Sequence, residues 1–308
     1  MRRLDFKKAS TTGTKVAEKC PHCGSTHFIK DGIYKGKQRY SCKECNRRFT
    51  IITGTITHWI KKPTKFKRFV NFMDKNINEF NSIQSLCKIF KLSTQTVFDW
   101  RHKYLESINN NAVKFTNKVQ ADDVNMDFSE KGRKGKKNPR SRGGLGMRGD
   151  HDYLAKVLVT IDSNNNLDLR LLKIGRVNAA ELTTYYEDKM SKAKELETDE
   201  HGSFKSMAKK LKLNHVAINS KEHPCAKINS IASKMKRILD RKMNGVSTKY
   251  LQNYLNWIMM SSKSKKLGIQ HNQWDEYVHT ENNYKNFLTN HSHIEYMNPV
   301  KKFWKTAS

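Results

Sequence analysis

The sequence predicts a multidomain α+β chain on three observations: two close cysteine pairs near the N-terminus, helix-patterned segments after them, and alternating strand-like and helix-like segments from about residue 118. With 308 residues, 36% of them hydrophobic, the chain can fill one large domain and one or two small ones. No stretch approaches the roughly 18 consecutive apolar residues of a membrane-spanning helix, and "MRRLDFKKAS" has no apolar core behind it. The expectation is a cytoplasmic protein without a signal peptide or a membrane partner.

The first element spans residues 15–52. Cys20, Cys23, Cys42 and Cys45 give C-x2-C, 18 intervening residues, and a second C-x2-C, which is the spacing of a four-thiolate zinc site. Each knuckle turns tightly enough for both sulfurs to reach one tetrahedral ion, and "GSTHFIKDGIYKGKQRYS" between them reads as a hairpin. Four thiolates leave no open position, so this Zn²⁺ is structural. His22 and His27 are read as surface residues, and Cys87 and Cys225 as small buried thiols.

The second element spans 60–112. In "SIQSLCKIFKLSTQTVFDWRHKYLES" two helical patterns flank a break at "FKLS", with Leu86 and Ile89 on one stripe, Val97, Trp100 and Tyr104 on the other, and Ser93 as N-cap. This is a helix-turn-helix pattern whose second helix offers Thr94, Gln95, Thr96, Arg101 and His102 to a major groove. Trp59, Phe66, Phe69 and Phe72 are read as helical core.

Charge supports a nucleic-acid partner. Lysine and arginine number 59 against 29 acidic residues, a formal net charge of +30 spread along the chain, so the folded parts present positive faces to a polyanion. DNA is the expected partner and a nucleoid-associated location follows. Lys35, Lys37, Arg39, Arg47 and Arg48 extend this character to the ribbon.

The third element spans 116–262. "KVQADDVNMDF", "DYLAKVLVTID" and "LDLRLLKIG" read as strands. Between the first two, residues 129–150 form a basic loop with eight basic and two acidic residues, among them Arg133, Lys134, Lys136, Lys137 and Arg140. There follow a helix at "NAAELTTYYEDKMSKAK", a strand ending at Asp199, a helix at "SFKSMAKKLK", a strand at "HVAIN" and a helix at "AKINSIASKMKRILDRKM". Three strands, helix, strand, helix, strand, helix is the order of a ribonuclease-H-like α/β catalytic domain. In that order Asp122, Asp199 and Asn229 converge on one edge, as an all-oxygen site for Mg²⁺ or Mn²⁺ that would offset their charge in so basic a chain. Taken singly, each has a plainer reading: a cap of the following helix for Asp199, pairing with a lysine of the basic loop for Asp122 or Asp123, a surface amide for Asn229.

These residues resemble a family, the zinc-ribbon insertion-sequence transposases of the DDE superfamily, in particular the ISXO-like group. The resemblance runs through "CPHCGS", "RYSCKECNRRFT", "TGTIT", "QADDVNMDFSEKGRKG", "ETDEHGSFK" and "NGVSTKYLQNYLNW". It implies a transposase that binds its element's terminal repeats, cleaves there with a divalent metal and joins the 3′ ends to target DNA, with a homo-oligomer at synapsis. It puts the first two catalytic aspartates at Asp122 and Asp199 and the third position, often asparagine in this group, at Asn229. Lys236, two helical turns on, shares a face with Asn229 and is placed to hold a phosphate. The sequence departs from the pattern at Asp123, where glutamate is usual, and at Ala232, where histidine is common. Glu200 and Glu222 are alternative third ligands. Residues 263–308 carry no motif and form a C-terminal extension of unknown role. The competing readings are a non-catalytic DNA-binding regulator and a metal-dependent nuclease without strand transfer.

Overall fold

The computed structural model describes residues 17–107, 113–129, 131–132, 154–199, 202–218 and 226–267, with the side chains of 227–262 in the last span. The ribbon is an antiparallel sheet of β1 (Phe28–Tyr34), β2 (Lys37–Cys42) and β3 (Arg48–Thr50). Lys35 and Gly36 turn β1 into β2 with φ of 49° and 73°, the paired left-handed residues that a tight hairpin needs. Phe28, Tyr40 and Phe49 pack beneath it with ring centroids 5.3–5.4 Å apart.

Three helices follow: α1 (Pro63–Lys75), α2 (Ile83–Phe90) and α3 (Thr94–Ser107). Pro63 opens α1 where no backbone donor is needed. Ser82 caps α2 by accepting from the Ser85 amide at 3.1 Å, and Ser93 accepts from the Thr96 amide at 3.4 Å at the start of α3. Phe66, Phe69, Leu86, Val97 and Tyr104 are buried as expected, Phe72 is half-buried, and Ile89 lies exposed. Trp59 departs from expectation: it precedes α1, outside any helix, and is 69% exposed. The lysines and the proline between it and the first helical turn keep it out of the α1 stripe.

The large sheet contains β4 (Thr116–Asp127), β5 (Leu154–Asp162), β6 (Leu167–Ile174), β7 (Lys192–Thr198) and β8 (Asn214–Ala217) in the order β6-β5-β4-β7-β8. The β6-β5-β4 neighbours are antiparallel, while β4, β7 and β8 run parallel, joined through α4 (Ala179–Tyr186) and α5 (Gly202–Lys210). α6 (Ala226–Arg237) ends in a π-helical turn at Ile238–Lys242, and α7 (Leu251–Leu267) closes the described chain. The element order of the sheet region is the one expected from the sequence.

Strand alternation assigns the two faces. Val119 and Ala121 of β4 and Leu158 of β5 pack with Leu182, Tyr186, Phe204 and Met207 of α4 and α5. On the other face, Val124 of β4 and Val157 and Val159 of β5 share a core with Ile228 and Met235 of α6, Trp257 of α7, and Phe66, Phe69 and Trp100 of α1 and α3. One apolar core therefore joins the helical region to the sheet. α7 seals it: Asn256 donates to the Leu105 carbonyl at 3.3 Å and the Trp257 indole donates to the Ile77 carbonyl at 2.8 Å.

Candidate active site

Asp122 and Asp123 are neighbours in sequence but project to opposite faces of the sheet. Asp123 shares the α4–α5 face with Ala121 and meets Lys156, only 2% exposed, at 3.2 Å. Asp122 shares the α6 face with Val124 and is half-buried, with its Oδ1 accepting from the Asp123 amide at 2.8 Å. Asp123 thus has a lysine partner, though from β5 rather than from the basic loop, while Asp122 faces α6.

The parallel register pairs Val119 with Leu196 and Gln120 with Glu197. The recorded pairing stops there; carried on by two residues, the same register sets Asp122 on β4 opposite Asp199, one residue past the end of β7 at Thr198. Their proximity shows in the acidity of Asp122. Burial, and then the negative charge of Asp199, push its carboxyl up from 3.8 to about 6, against the Asp123 amide and the Lys156 charge. Thr198 fixes the end of β7 by donating to the Asp199 carbonyl at 2.8 Å and sharing a hydrogen bond with His215 Nε2 at 2.8 Å. Two carboxylates on one edge, one of them held partly desolvated beside its neighbour, suit a hard divalent cation in charge and donor type.

Asn229 lies exposed in the first turns of α6, next to the buried Ile228, and Lys236 stands exposed beside the buried Met235 on the same flank. Lys236 lines a cavity of about 310 Å³ with Asn125 and Asp127 at the end of β4 and Asp240 beyond α6. The exit of β4 is fastened to the segment before α7. The Ser129 amide donates to Thr248 Oγ1 and the Thr248 amide donates to the Ser129 carbonyl, each at 2.8 Å, while Lys131 donates to the carbonyls of Asn244 and Gly245. This explains why "NGVST" accompanies "DFSEK": each completes the other's backbone hydrogen bonds.

The four cysteine sulfurs lie within 4.8 Å of one another, with Cys20 to Cys45 at 3.7 Å and Cys23 to Cys42 at 3.6 Å. A tetrahedron of zinc–sulfur bonds has edges of about 3.8 Å, so the cluster fits Zn²⁺. Within the cluster, amide donation from Cys45 leads in lowering the Cys42 thiol, while Cys23 is pushed up, with burial and its neighbouring thiols among the causes. His22 and His27 are exposed, and His27 meets Glu44 at 3.2 Å. Arg39 and Arg48 both pair with Asp31, at 3.1 and 2.8 Å.

Two residues expected at a DNA groove are not available to it. Arg101 is 4% exposed, donates to Tyr254 Oη at 2.7 Å and lies over the ring of Trp257. His102 is fully buried against Asn253 and Tyr250, and burial holds it well below its ordinary pKa. Both face α7, a helix some 150 residues downstream. Thr94, Gln95 and Thr96 remain at the start of α3, with Gln95 bonded to Asp99 at 2.9 Å. Arg133, Lys134, Lys136, Lys137 and Arg140 lie outside the described residues, as do Glu200, Glu222, Cys225 and the extension from 268 onward.

No family model matches the chain. A curated relative from Halobacterium salinarum, an uncharacterized protein in the transposable element ISH50, is 28% identical over 134 residues. That match covers 44% of this chain and 45% of the relative's length. Among solved structures, the chain is similar to the catalytic core domain of BIV integrase, with 14% identity, 53% of this chain and 95% of that one covered, and a TM-score of 0.32. It is also similar to a chain of the simian T-cell lymphotropic virus intasome, at 12% identity over 56% of this chain and 63% of that one, with a TM-score of 0.31. A pre-cleavage Mos1 transpososome gives 12% identity, 62% and 76% coverage, and a TM-score of 0.22.

Proposed function

We propose that the chain is a DNA transposase that cleaves strands at the ends of its element and joins them to target DNA, using Mg²⁺ or Mn²⁺ held at Asp122 and Asp199. What supports this reading is the register of the parallel strands β4 and β7, which carried on by two residues sets Asp122 opposite Asp199, together with the Asp122 carboxyl pushed up to about 6 by burial and then by the charge of Asp199. The similarity to a protein of a transposable element agrees with it.

In this reading the sheet is a ribonuclease-H-like catalytic domain, Asn229 is the third ligand and Lys236 holds a phosphate of the scissile strand. The α2–α3 pair is a helix-turn-helix that reads the terminal repeats through Thr94, Gln95 and Thr96, and the basic loop grips the phosphate backbone. A bound divalent cation supplies positive charge at the phosphodiester and acidifies a nucleophile. Asp122 and Asp199 fix where that charge sits. In cleavage, a water oxygen forms a bond to phosphorus as the 3′-oxygen leaves with a proton. In joining, the oxygen of the freed 3′-hydroxyl gives up its proton and bonds to a target phosphorus, while the bond from that phosphorus to the target strand's own 3′-oxygen breaks and the departing oxygen takes up a proton. The Cys20, Cys23, Cys42 and Cys45 ribbon is structural and takes no part in these steps.

The test is cleavage of a labelled duplex carrying the DNA that flanks the gene, with Mg²⁺ or Mn²⁺, by wild type, Asp122→Ala and Asp199→Ala. Nicking at a fixed position, lost in both variants with binding unchanged within about twofold, is the expected result. Nicks without joined products would make the protein a nuclease, and binding with no nicking would leave a DNA-binding regulator.

A further inference from the structure

Asp199 stands one residue past the end of β7, yet both peptide planes that flank its Cα are held. The plane before it is fixed by the Ile218 amide, which donates to the Thr198 carbonyl at 2.8 Å. The plane after it is fixed by the Thr198 hydroxyl, which donates to the Asp199 carbonyl at 2.8 Å. A peptide unit is rigid, so two anchored planes leave the Asp199 Cα–Cβ bond little freedom to swing.

The hydroxyl is itself held. Thr198 is fully buried, and its Oγ1 lies 2.8 Å from His215 Nε2. A hydroxyl carries one proton, and Thr198 directs it to the Asp199 carbonyl, so the oxygen accepts at this contact and His215 carries its N–H at Nε2. The result is a directed relay from imidazole to hydroxyl to carbonyl, in which each bond polarises the next. β8 supplies both grips, since His215 pairs with Leu196 in the parallel register and Ile218 follows its last residue. The ladder already pairs Thr198 with Ala217; what the relay adds is an anchor on the residue beyond. Thr198 shares the α4–α5 face with Leu196, opposite the face on which Asp122 lies. The relay therefore holds Asp199 from behind, by its backbone and not by its carboxylate.

We propose that His215 is a positioning residue for the metal site: acting through Thr198, it fixes the backbone of Asp199 and with it the direction from which that carboxylate meets a divalent cation. The inference rests on the reading of Asp199 as a metal-holding residue, and it gives a role to two side chains that touch neither metal nor DNA.

The test measures Mn²⁺ binding to the zinc-loaded full chain without DNA, by electron paramagnetic resonance of the free ion, beside the melting temperature without Mn²⁺. Binding that Asp199→Ala removes defines the site. Loss of a group that orients a metal ligand typically costs about ten- to a hundredfold in affinity. His215→Leu should therefore weaken Mn²⁺ roughly tenfold or more, and so should Thr198→Val, which keeps the buried shape and removes the hydroxyl. His215→Gln and Thr198→Ser keep a donor at each position and should stay within about threefold of wild type, whatever their melting temperatures. Unchanged affinity in His215→Leu and Thr198→Val would overturn the proposal. So would losses that follow melting temperature across all four variants, which would make the pair a fastening of β8 alone. Either result leaves the proposed function standing as long as Asp122→Ala and Asp199→Ala remove the site. Wild type without a Mn²⁺ site, or with one that survives both of those substitutions, would sink the proposed function and this inference together.

Discussion

Replacing Asp122 with asparagine should stabilise the protein in the absence of divalent cations. Burial and the charge of Asp199 raise the Asp122 carboxyl from 3.8 to about 6, so the folded state holds this proton more tightly than the unfolded state does. Between those two pH values the folded chain binds more protons, and stability falls as pH rises through the window. Each tenfold change in proton affinity is worth 1.36 kcal/mol, which makes the strain of the ionised group about 3 kcal/mol at most, and nearer 1–2 kcal/mol after its partial exposure is allowed for. For a chain of this size that corresponds to a rise in melting temperature of roughly 1.5–3 °C for Asp122→Asn at pH 7.5, shrinking towards zero near pH 4. Added Mg²⁺ should stabilise wild type and leave the variant unmoved, since a cation stabilises only the state that binds it. Melting scans at the two pH values, with and without Mg²⁺, provide the assay. A lower melting temperature for Asp122→Asn at pH 7.5, or a difference that is the same at both pH values, would refute the argument.

Cys42→Ser should remove the bound metal, reducing one zinc per chain to none by elemental analysis, and should make the ribbon the first region to exchange its amide hydrogens. Arg101→Ala should destabilise by about 3 kcal/mol, because it removes a charged hydrogen bond to Tyr254 and leaves a buried void, with a fall in melting temperature of roughly 5 °C. Below the melting range it should bind DNA as wild type does. Loss of sequence preference in Arg101→Ala at unchanged folding would contradict its placement against α7.

The elements most legible in sequence were those whose signal is local. The cysteine spacing carries the ribbon, and period-two alternation carries β4, β5 and β6. The opposite projection of Asp122 and Asp123 follows from the same alternation, but which face lies beneath α6 depends on packing partners far along the chain. Arg101 and His102 were misplaced for that reason: their stripe on α3 is polar by composition and is buried by Tyr254, Asn253 and Trp257. α7 itself is buried on nearly all sides from Leu251 to Ser261, so it has no polar face to give it a helical stripe. Trp59 did carry a usable signal. The proline at position 63 marks the first turn of a helix, which leaves a tryptophan four residues earlier outside it.

The joint between α3 and α7 bears on how such a protein can diversify. Residues on α3 close their hydrogen bonds on a helix that begins at Leu251, beyond the whole sheet. A single genetic crossover between 107 and 116 would bring in α1–α3 without the α7 that matches them, stranding Arg101 beside a foreign surface. Changes on the outer side of α3 must therefore arrive by substitution at exposed positions such as Thr94 and Gln95, or by exchange of two separate stretches of the gene at once.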